Sequence, residues 1–283
     1  MKKFFALLLV LALLVSFAAC SNRKLTMKQL IDANQLDTLL ETHDSVHVLT
    51  TMNGEFYTSF YLTDAYSYEK HDTWSMYLTN ETGYQCNEGM YQQIVFLTRD
   101  GLVSYADYRD AQYTDVIASY ESLLEKIQST TETADQLTVT STMSLKNLKK
   151  ILGQIDMRSY DATYIMDPKT YDMISLEGAF VLDDGTAITF VSECTYNEEM
   201  PEEIQAFLDY ANQTEDLRTV TLVFHSGTEK EKVEQLQVPI GLPIGLSLPP
   251  DSDEGFSLYA DPACTEPFVS NGDYTSDVIV YIQ

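Results

Sequence analysis

Hydrophobic positions change their spacing several times along this chain. Phe4 to Leu14 is an unbroken apolar run behind Lys2 and Lys3, followed by small residues before Cys20, the three-part layout of a secretory signal. About sixteen residues separate Lys3 from Cys20, and crossing a bilayer core takes roughly twenty at 1.5 Å each, so the run predicts export and not a span. Residues 21–25 read as a short polar tether. Thr26 and Gln29 then form a capping box ahead of Leu30, Ile31, Leu36, Leu39 and Leu40, which predicts a helix interrupted near Asn34. From Val46 to about Tyr105 the pattern becomes short runs of Val, Thr, Phe and Tyr. Asn53-Gly54, Asn80 to Gly83 and Asp100-Gly101 separate them, as in an antiparallel meander. Alternation places Phe56, Phe60 and Leu62 on one face of a strand and Tyr57, Ser59 and Tyr61 on the other.

Val116, Tyr120, Leu123, Leu124 and Ile127 recur at helical steps, predicting an amphipathic helix over 115–128. Leu137 to Thr142 reads as a strand. Ser144 caps a second helix carrying Leu145, Leu148, Ile151, Leu152 and Ile155. Strands are expected over 162–166, 171–182 and 186–196, the last two joined through Asp183-Asp184-Gly185, a hairpin signal. Pro201 opens a helix bearing Ile204, Phe207, Leu208 and Ala211, with Glu202 and Glu203 well placed at its start. Strands over 217–224 and 233–238 follow. After Val238, frequent Pro and Gly mark a linker or irregular rim, and Phe256 to Ala260 and Val278 to Ile282 form a final short β module. Forty residues alone would be marginally stable, so this module is expected to dock on the rest. With no long parallel βαβ pattern, the expected class is α+β: a curved antiparallel β-sheet, a half-barrel, packed against helices.

Two resemblances attach to these residues. Phe17-Ala18-Ala19-Cys20 resembles the lipobox of bacterial lipoproteins, although Phe17 departs from the aliphatic residue usual there. The resemblance implies cleavage after residue 19 and lipid on the Cys20 sulfur, hence a membrane partner and a position outside the cytoplasm. Two or three acyl chains anchor firmly where one is marginal, at about 0.8 kcal/mol per buried methylene. Residues 26–240 resemble the lipoprotein-localisation carriers, the LolA-like half-barrels. The contact lies in the early helix, the tyrosine-rich run from Tyr57 to Tyr91, and Tyr164-Ile165-Met166-Asp167-Pro168-Lys169-Thr170 leading to Asp184-Gly185-Thr186. That class implies a sheet curled around helices with an apolar cavity, and it carries no catalytic motif. Phe256 to Thr265, within residues 241–283, resembles a small β repeat of bacterial surface proteins.

Charge narrows the partners. Losing Lys2 and Lys3 with residues 1–19 leaves 15 of the 17 bases against 43 acids, a net of −28. Nucleic acid is excluded, since phosphate binding needs clustered bases and only Lys146, Lys149 and Lys150 approach a cluster. Acidity of this size favours solubility and repulsion from an anionic membrane or wall. Cys86, Cys194 and Cys264 contain no C-x-x-C pair, and allow either one disulfide with one thiol or three reduced cysteines.

Catalytic motifs are missing: there is no G-x-S-x-G, H-E-x-x-H or G-x-x-x-x-G-K, and no dinucleotide glycine pattern. His43 and His47 sit where a helix gives way to a Val-rich strand, so their spacing does not make a metal pair. His71 beside Asp72 reads as a turn. Asp251, Asp253 and Gly255 begin like a calcium loop, but Phe256 and Pro262 occupy the places that want Gly and Glu. The expectation is a non-enzymatic protein without metal or cofactor. The remaining signal is 19 Tyr and 12 Phe. Tyrosine joins an apolar ring to a polar tip, which suits a cavity wall, although aromatic residues also stack across strands without any ligand. Phe56, Phe60, Trp74, Tyr91 and Phe96 are the candidate lining for an apolar or amphipathic ligand or an envelope component. The competing expectation is a filled core and contacts made through the surface alone.

Overall fold

The computed structural model describes residues 25–106, 125–147, 157–212, 215–247, 255–269 and 274–283. The signal, Cys20 and most of the two central predicted helices lie outside them. The capping box forms as expected: the Thr26 hydroxyl accepts the Gln29 N–H and the Gln29 side chain accepts the Thr26 N–H, starting α1 (Met27–Ala33). Met27, Leu30 and Ile31 make its buried side. Asn34 interrupts the helix before α2 (Leu36–Leu40).

That interruption is a pin. Asn34 is 1% exposed, and its amide donates to Leu30 O at 2.9 Å and Tyr171 O at 2.8 Å while accepting the Met173 N–H at 2.8 Å. One short side chain therefore ties the helical entry to a strand 139 residues away. Asn34→Ala leaves two buried backbone groups without their partners. It is expected to cost about 1–3 kcal/mol per orphaned group, read as a fall in the urea midpoint with an unchanged slope. A midpoint within error of the parent would refute this role.

The strands of the first half are β1 (Val46–Met52), β2 (Glu55–Leu62), β3 (Tyr66–Lys70), β4 (Trp74–Thr79), β5 (Gly83–Asn87), β6 (Met90–Thr98) and β7 (Gly101–Leu102). Then come β8 (Glu125–Glu132), β9 (Leu137–Met143), β10 (Met157–Met166), β11 (Met173–Leu182) and β12 (Ala187–Tyr196), followed by α3 (Glu202–Ala211). The chain closes with β13 (Leu217–Phe224), β14 (Lys232–Pro239), β15 (Ile244–Ser247), β16 (Leu258–Tyr259) and β17 (Val278–Ile282). A 13-stranded sheet runs β15-β6-β5-β4-β3-β2-β1-β12-β11-β10-β9-β8, with β7 on β6. It is antiparallel throughout except where β15 lies parallel to β6, and it does not close. A second sheet has the order β14-β13-β17-β16, with β13 and β17 parallel.

The fold class differs from the α+β expectation of a sheet packed against helices. Strands hold 53% of the described residues and helices 12%, so this is a mostly antiparallel β protein. One cause is visible at β8. Ile127 falls on a helical step in the sequence, yet it pairs opposite Ser141, and the strand continues to Glu132. Tertiary pairing with β9 overrides the local period there. Residues 145–147 are helical, and the Ser144 hydroxyl accepts the Asn147 N–H at 3.3 Å, as its capping role requires.

The alternation expected in β2 is also broken. Thr50 pairs with Thr58 but Thr51 with Phe56, a one-residue bulge that leaves Tyr57 without an opposite number. A bulge re-aims the side chains beyond it. Phe60 and Leu62 are buried, whereas Phe56 is 42% exposed.

Candidate ligand-binding site

Directly opposed residues in an antiparallel sheet share a face. Tyr61 opposes Tyr68, Tyr68 opposes Tyr77, and Tyr77 opposes Tyr84, so four strands contribute one rung of tyrosines. Helix α3 lies across it. Phe207 meets Tyr68 at 6.0 Å, Tyr77 at 6.1 Å and Tyr91 at 5.2 Å between ring centroids, and Ile204 is fully buried beside it. Polar tips are satisfied at the margins: Tyr61 donates to Glu198 O at 2.8 Å and Tyr210 to Tyr91 O at 2.7 Å. The tyrosine-rich meander is thus packed under a helix on this face.

Burial pushes phenols up on this face and elsewhere in the sheet. Tyr68 and Tyr105 rise from 10.0 to about 12, mainly through desolvation. Tyr160 and Tyr196 are raised further for the same first reason. A phenol whose folded value exceeds its unfolded value contributes stability that is complete below the unfolded value and is lost as pH rises. Stability is therefore expected to decline from about pH 10 upward. Phenolate absorbance should rise together with loss of far-ultraviolet ellipticity. Full ionisation of the tyrosines with the sheet intact would contradict this packing.

The opposite face carries the second half of the aromatic candidates. Trp74 and Phe96 lie in one cluster with Met76, Leu78 and Ile94. Phe60 belongs to a different cluster, with Val46, Val48, Leu137, Val139 and the α1 residues. Tyr91 packs with the tyrosine rung under α3, and Phe56 stands exposed beyond the bulge. Of the five residues singled out from sequence, the structure brings together Trp74 and Phe96. Between the clusters sits buried Glu69, 2.5 Å from His71, whose ring stacks on Trp74 at 4.1 Å.

A group that sequence reasoning passed over is more enclosed. Glu125, at the first position of β8, is 8% exposed. It accepts hydroxyl hydrogen bonds from Ser141 on β9 and from Tyr160 (3.3 Å) and Tyr164 (2.8 Å) on β10. Strand register explains the convergence. Tyr160 and Tyr164 alternate with Ala162 on one face of β10, and Ser141 lies opposite Ala162. Burial first, then Tyr164 and Glu125, hold the Tyr160 phenol in its neutral donor form. Glu125 also borders a depression of about 390 Å³ between α1 and β8, lined by Leu25, Thr26, Met27, Lys28, Glu125, Lys126 and Ile127. The depression is broad and open, and its lining mixes apolar with polar and charged side chains. Its sequence signal was the period-two run of Tyr160, Ala162, Tyr164 and Met166, an apolar face with two hydroxyls in it.

The four histidines are dispersed. His43 pairs with Asp172 at 3.1 Å, His47 with Glu198 at 2.6 Å and His225 with Asp100 at 2.8 Å, and His71 pairs with Glu69 as above. Among the described residues, no three His, Cys, Asp or Glu side chains converge as a metal-holding group. Cys86, Cys194 and Cys264 are free thiols, and burial raises Cys194 to about 12, which makes it unreactive.

No protein-family model matches this chain, and no curated protein matches it. Solved structures with partial similarity include the Mycobacterium tuberculosis lipoprotein LppX, at 10% identity and a TM-score of 0.36, covering 62% of this chain and 98% of that one. MucB gives 14% identity and a TM-score of 0.27, covering 63% of this chain and 60% of that one. A LolA superfamily protein from Nitrosomonas europaea gives 7% and 0.24, covering 64% of this chain and 97% of that one. Scores of this size give no residue of this chain a role.

Proposed function

We propose that this chain is an extracytoplasmic lipoprotein, anchored through lipid on Cys20, that binds an apolar or amphipathic molecule without transforming it. The observation that carries the reading is the depression beside Glu125. Leu25, Met27 and Ile127 offer an apolar wall, and a carboxylate ringed by hydroxyls offers a polar anchor within it. An amphipathic ligand would lay its apolar part on the wall and direct a hydrogen-bonding head toward Glu125. The lipobox at Cys20 supports export and anchoring. Phe56, Phe60, Trp74, Tyr91 and Phe96 do not form the lining in this reading, because they are divided between two faces of the sheet.

The rival reading, a surface interaction protein with a filled core, is favoured by α3, which covers the tyrosine rung: Ile204 and Phe207 are 0% and 1% exposed. Native mass spectrometry of the mature chain with Cys20→Ser separates the two. A co-purified lipid that leaves on delipidation, and is retained poorly by Met27→Glu, supports the ligand reading. A clean apo mass after incubation with bacterial membrane lipids sinks it and favours protein contacts. Anchoring is tested separately by the mass of the N-terminal peptide from cells, where diacylglycerol on Cys20 is expected.

A further inference from the structure

Ser59, His47 and Glu198 form a hydrogen-bonded chain away from the Glu125 depression. His47 Nδ1 lies 2.6 Å from Glu198 Oε2, and His47 Nε2 lies 2.9 Å from the Ser59 hydroxyl. The order of partners fixes the proton positions. The hydrogen bond to His47 holds the Glu198 carboxyl below its ordinary value, so the carboxylate accepts and Nδ1 carries the hydrogen. Nε2 is then the lone-pair nitrogen, and the Ser59 hydroxyl donates to it. A serine becomes a nucleophile in this arrangement, with a base within hydrogen-bond reach and the base itself oriented by a carboxylate.

Strand register brings the three together from distant parts of the chain. His47 on β1 opposes Tyr61 on β2, and Ser59, two positions before Tyr61, shares that face. Glu198 follows β12, and its carbonyl accepts the Tyr61 hydroxyl at 2.8 Å and the Ser45 hydroxyl at 3.1 Å, which pins its backbone. Ser59 stands between Leu49 on β1 and Lys70 on β3, its two directly opposed neighbours. Lys70 pairs with Glu203 in the first turn of α3 at 2.8 Å. Leu49, Ser59 and Lys70 keep partial exposure, and the side chains of His47 and Glu198 are 24% and 43% exposed, so a small molecule can reach the hydroxyl. The Glu125 cage lies on the other face. Its Tyr164 opposes Leu176, Leu176 opposes Ser192, and Ser192 opposes Thr50, the sequence neighbour of Leu49.

We infer that Ser59 and His47 are the catalytic residues of an acyl-transfer centre that hydrolyses small uncharged carboxylic esters, with Glu198 positioning the imidazole. Its substrate is a different molecule from the amphipath beside Glu125, which stays untransformed. The Ser59 oxygen attacks the ester carbonyl carbon as its proton passes to His47 Nε2. The tetrahedral oxyanion collapses, the bond from carbon to the alcohol oxygen breaks, and that oxygen leaves with the proton from Nε2. Water then gives a proton to Nε2 and its oxygen to the acyl carbon. The Ser59 oxygen departs with that proton, and a free acid is released. The Lys70 ammonium, on the strand opposite Ser59, offers positive charge to the oxyanion. Leu49 offers an apolar contact to a short acyl chain. Glu193, opposite Leu49, and Glu199 and Glu202 are exposed acids that repel a substrate bearing a carboxylate.

The test treats the mature chain with Cys20→Ser with diisopropyl fluorophosphate and assays it on p-nitrophenyl acetate. A single adduct on Ser59, formed with loss of fluoride, is expected in the peptide masses. Ser59→Ala should abolish that adduct and lower ester hydrolysis about a hundredfold or more, and His47→Gln should do the same to hydrolysis. Glu198→Gln should lower kcat with little change in KM, as loss of imidazole orientation requires and loss of substrate contact does not. Ser75→Ala, on the far side of Lys70, should leave labelling and hydrolysis unchanged. Circular dichroism should show every variant folded. No adduct on Ser59, or hydrolysis undiminished by Ser59→Ala, would overturn the inference.

Discussion

Phe207→Ala should lower the free energy of unfolding by about 3–5 kcal/mol, a large fraction of what holds a typical domain together. The ring is 1% exposed and reaches Tyr68, Tyr77 and Tyr91, so its removal opens a void under α3 that three tyrosines on separate strands cannot jointly fill. Loss of transfer energy and loss of packing contacts act together at such a site. The expected reading is a shifted denaturant midpoint with little change of slope. Tyr57→Ala is the comparison: that ring is 48% exposed beside the bulge and should change stability by about 0.5 kcal/mol or less. A Phe207→Ala effect below about 1 kcal/mol would mean that α3 does not seal the tyrosine face, and would reopen that face as a ligand surface.

Much of the strand framework was legible because it rests on local signals. The Asp184-Gly185 turn, the strand over 162–166 and the Pro201 helix start each depend on residues close in sequence, and all three appear in the structure, the strand lengthened to Met157–Met166. What failed did so for non-local reasons. Ile127 sits at a helical step, but pairing with β9 decides its conformation. Phe56 alternates correctly with Phe60 until a bulge, set by the partner strand, turns it out. The candidate site was hidden for the same reason. Glu125, Ser141, Tyr160 and Tyr164 are unremarkable singly, and three strands must come into register before one carboxylate meets three hydroxyls. Aromatic abundance pointed to Phe56, Phe60, Trp74, Tyr91 and Phe96 as a lining, and gave no sign of which face a helix would occupy.

Glu125→Ala should cost about 3 kcal/mol or more, because it removes the acceptor for three hydroxyls that remain buried. Tyr164→Phe takes away one donor at 2.8 Å and leaves Glu125 its other partners, so about 0.5–1.5 kcal/mol is expected, the range for a typical buried hydrogen bond. The two changes are not independent. With Glu125 already replaced, the Tyr164 hydroxyl has lost that acceptor, and deleting it should then cost little or even restore stability. The double-mutant cycle should accordingly show a coupling of about 1–3 kcal/mol. Additive losses would mean that the cage does not act as a unit. The same variants bear on ligand binding when read by native mass spectrometry. Tyr164→Phe keeps the carboxylate beside the depression and should retain a co-purified amphipath, whereas Glu125→Gln, which keeps the size and removes the charge, should release it if the head group is held by the carboxylate. Retention by both variants would leave the apolar wall of Leu25, Met27 and Ile127 as the source of affinity and remove Glu125 from recognition.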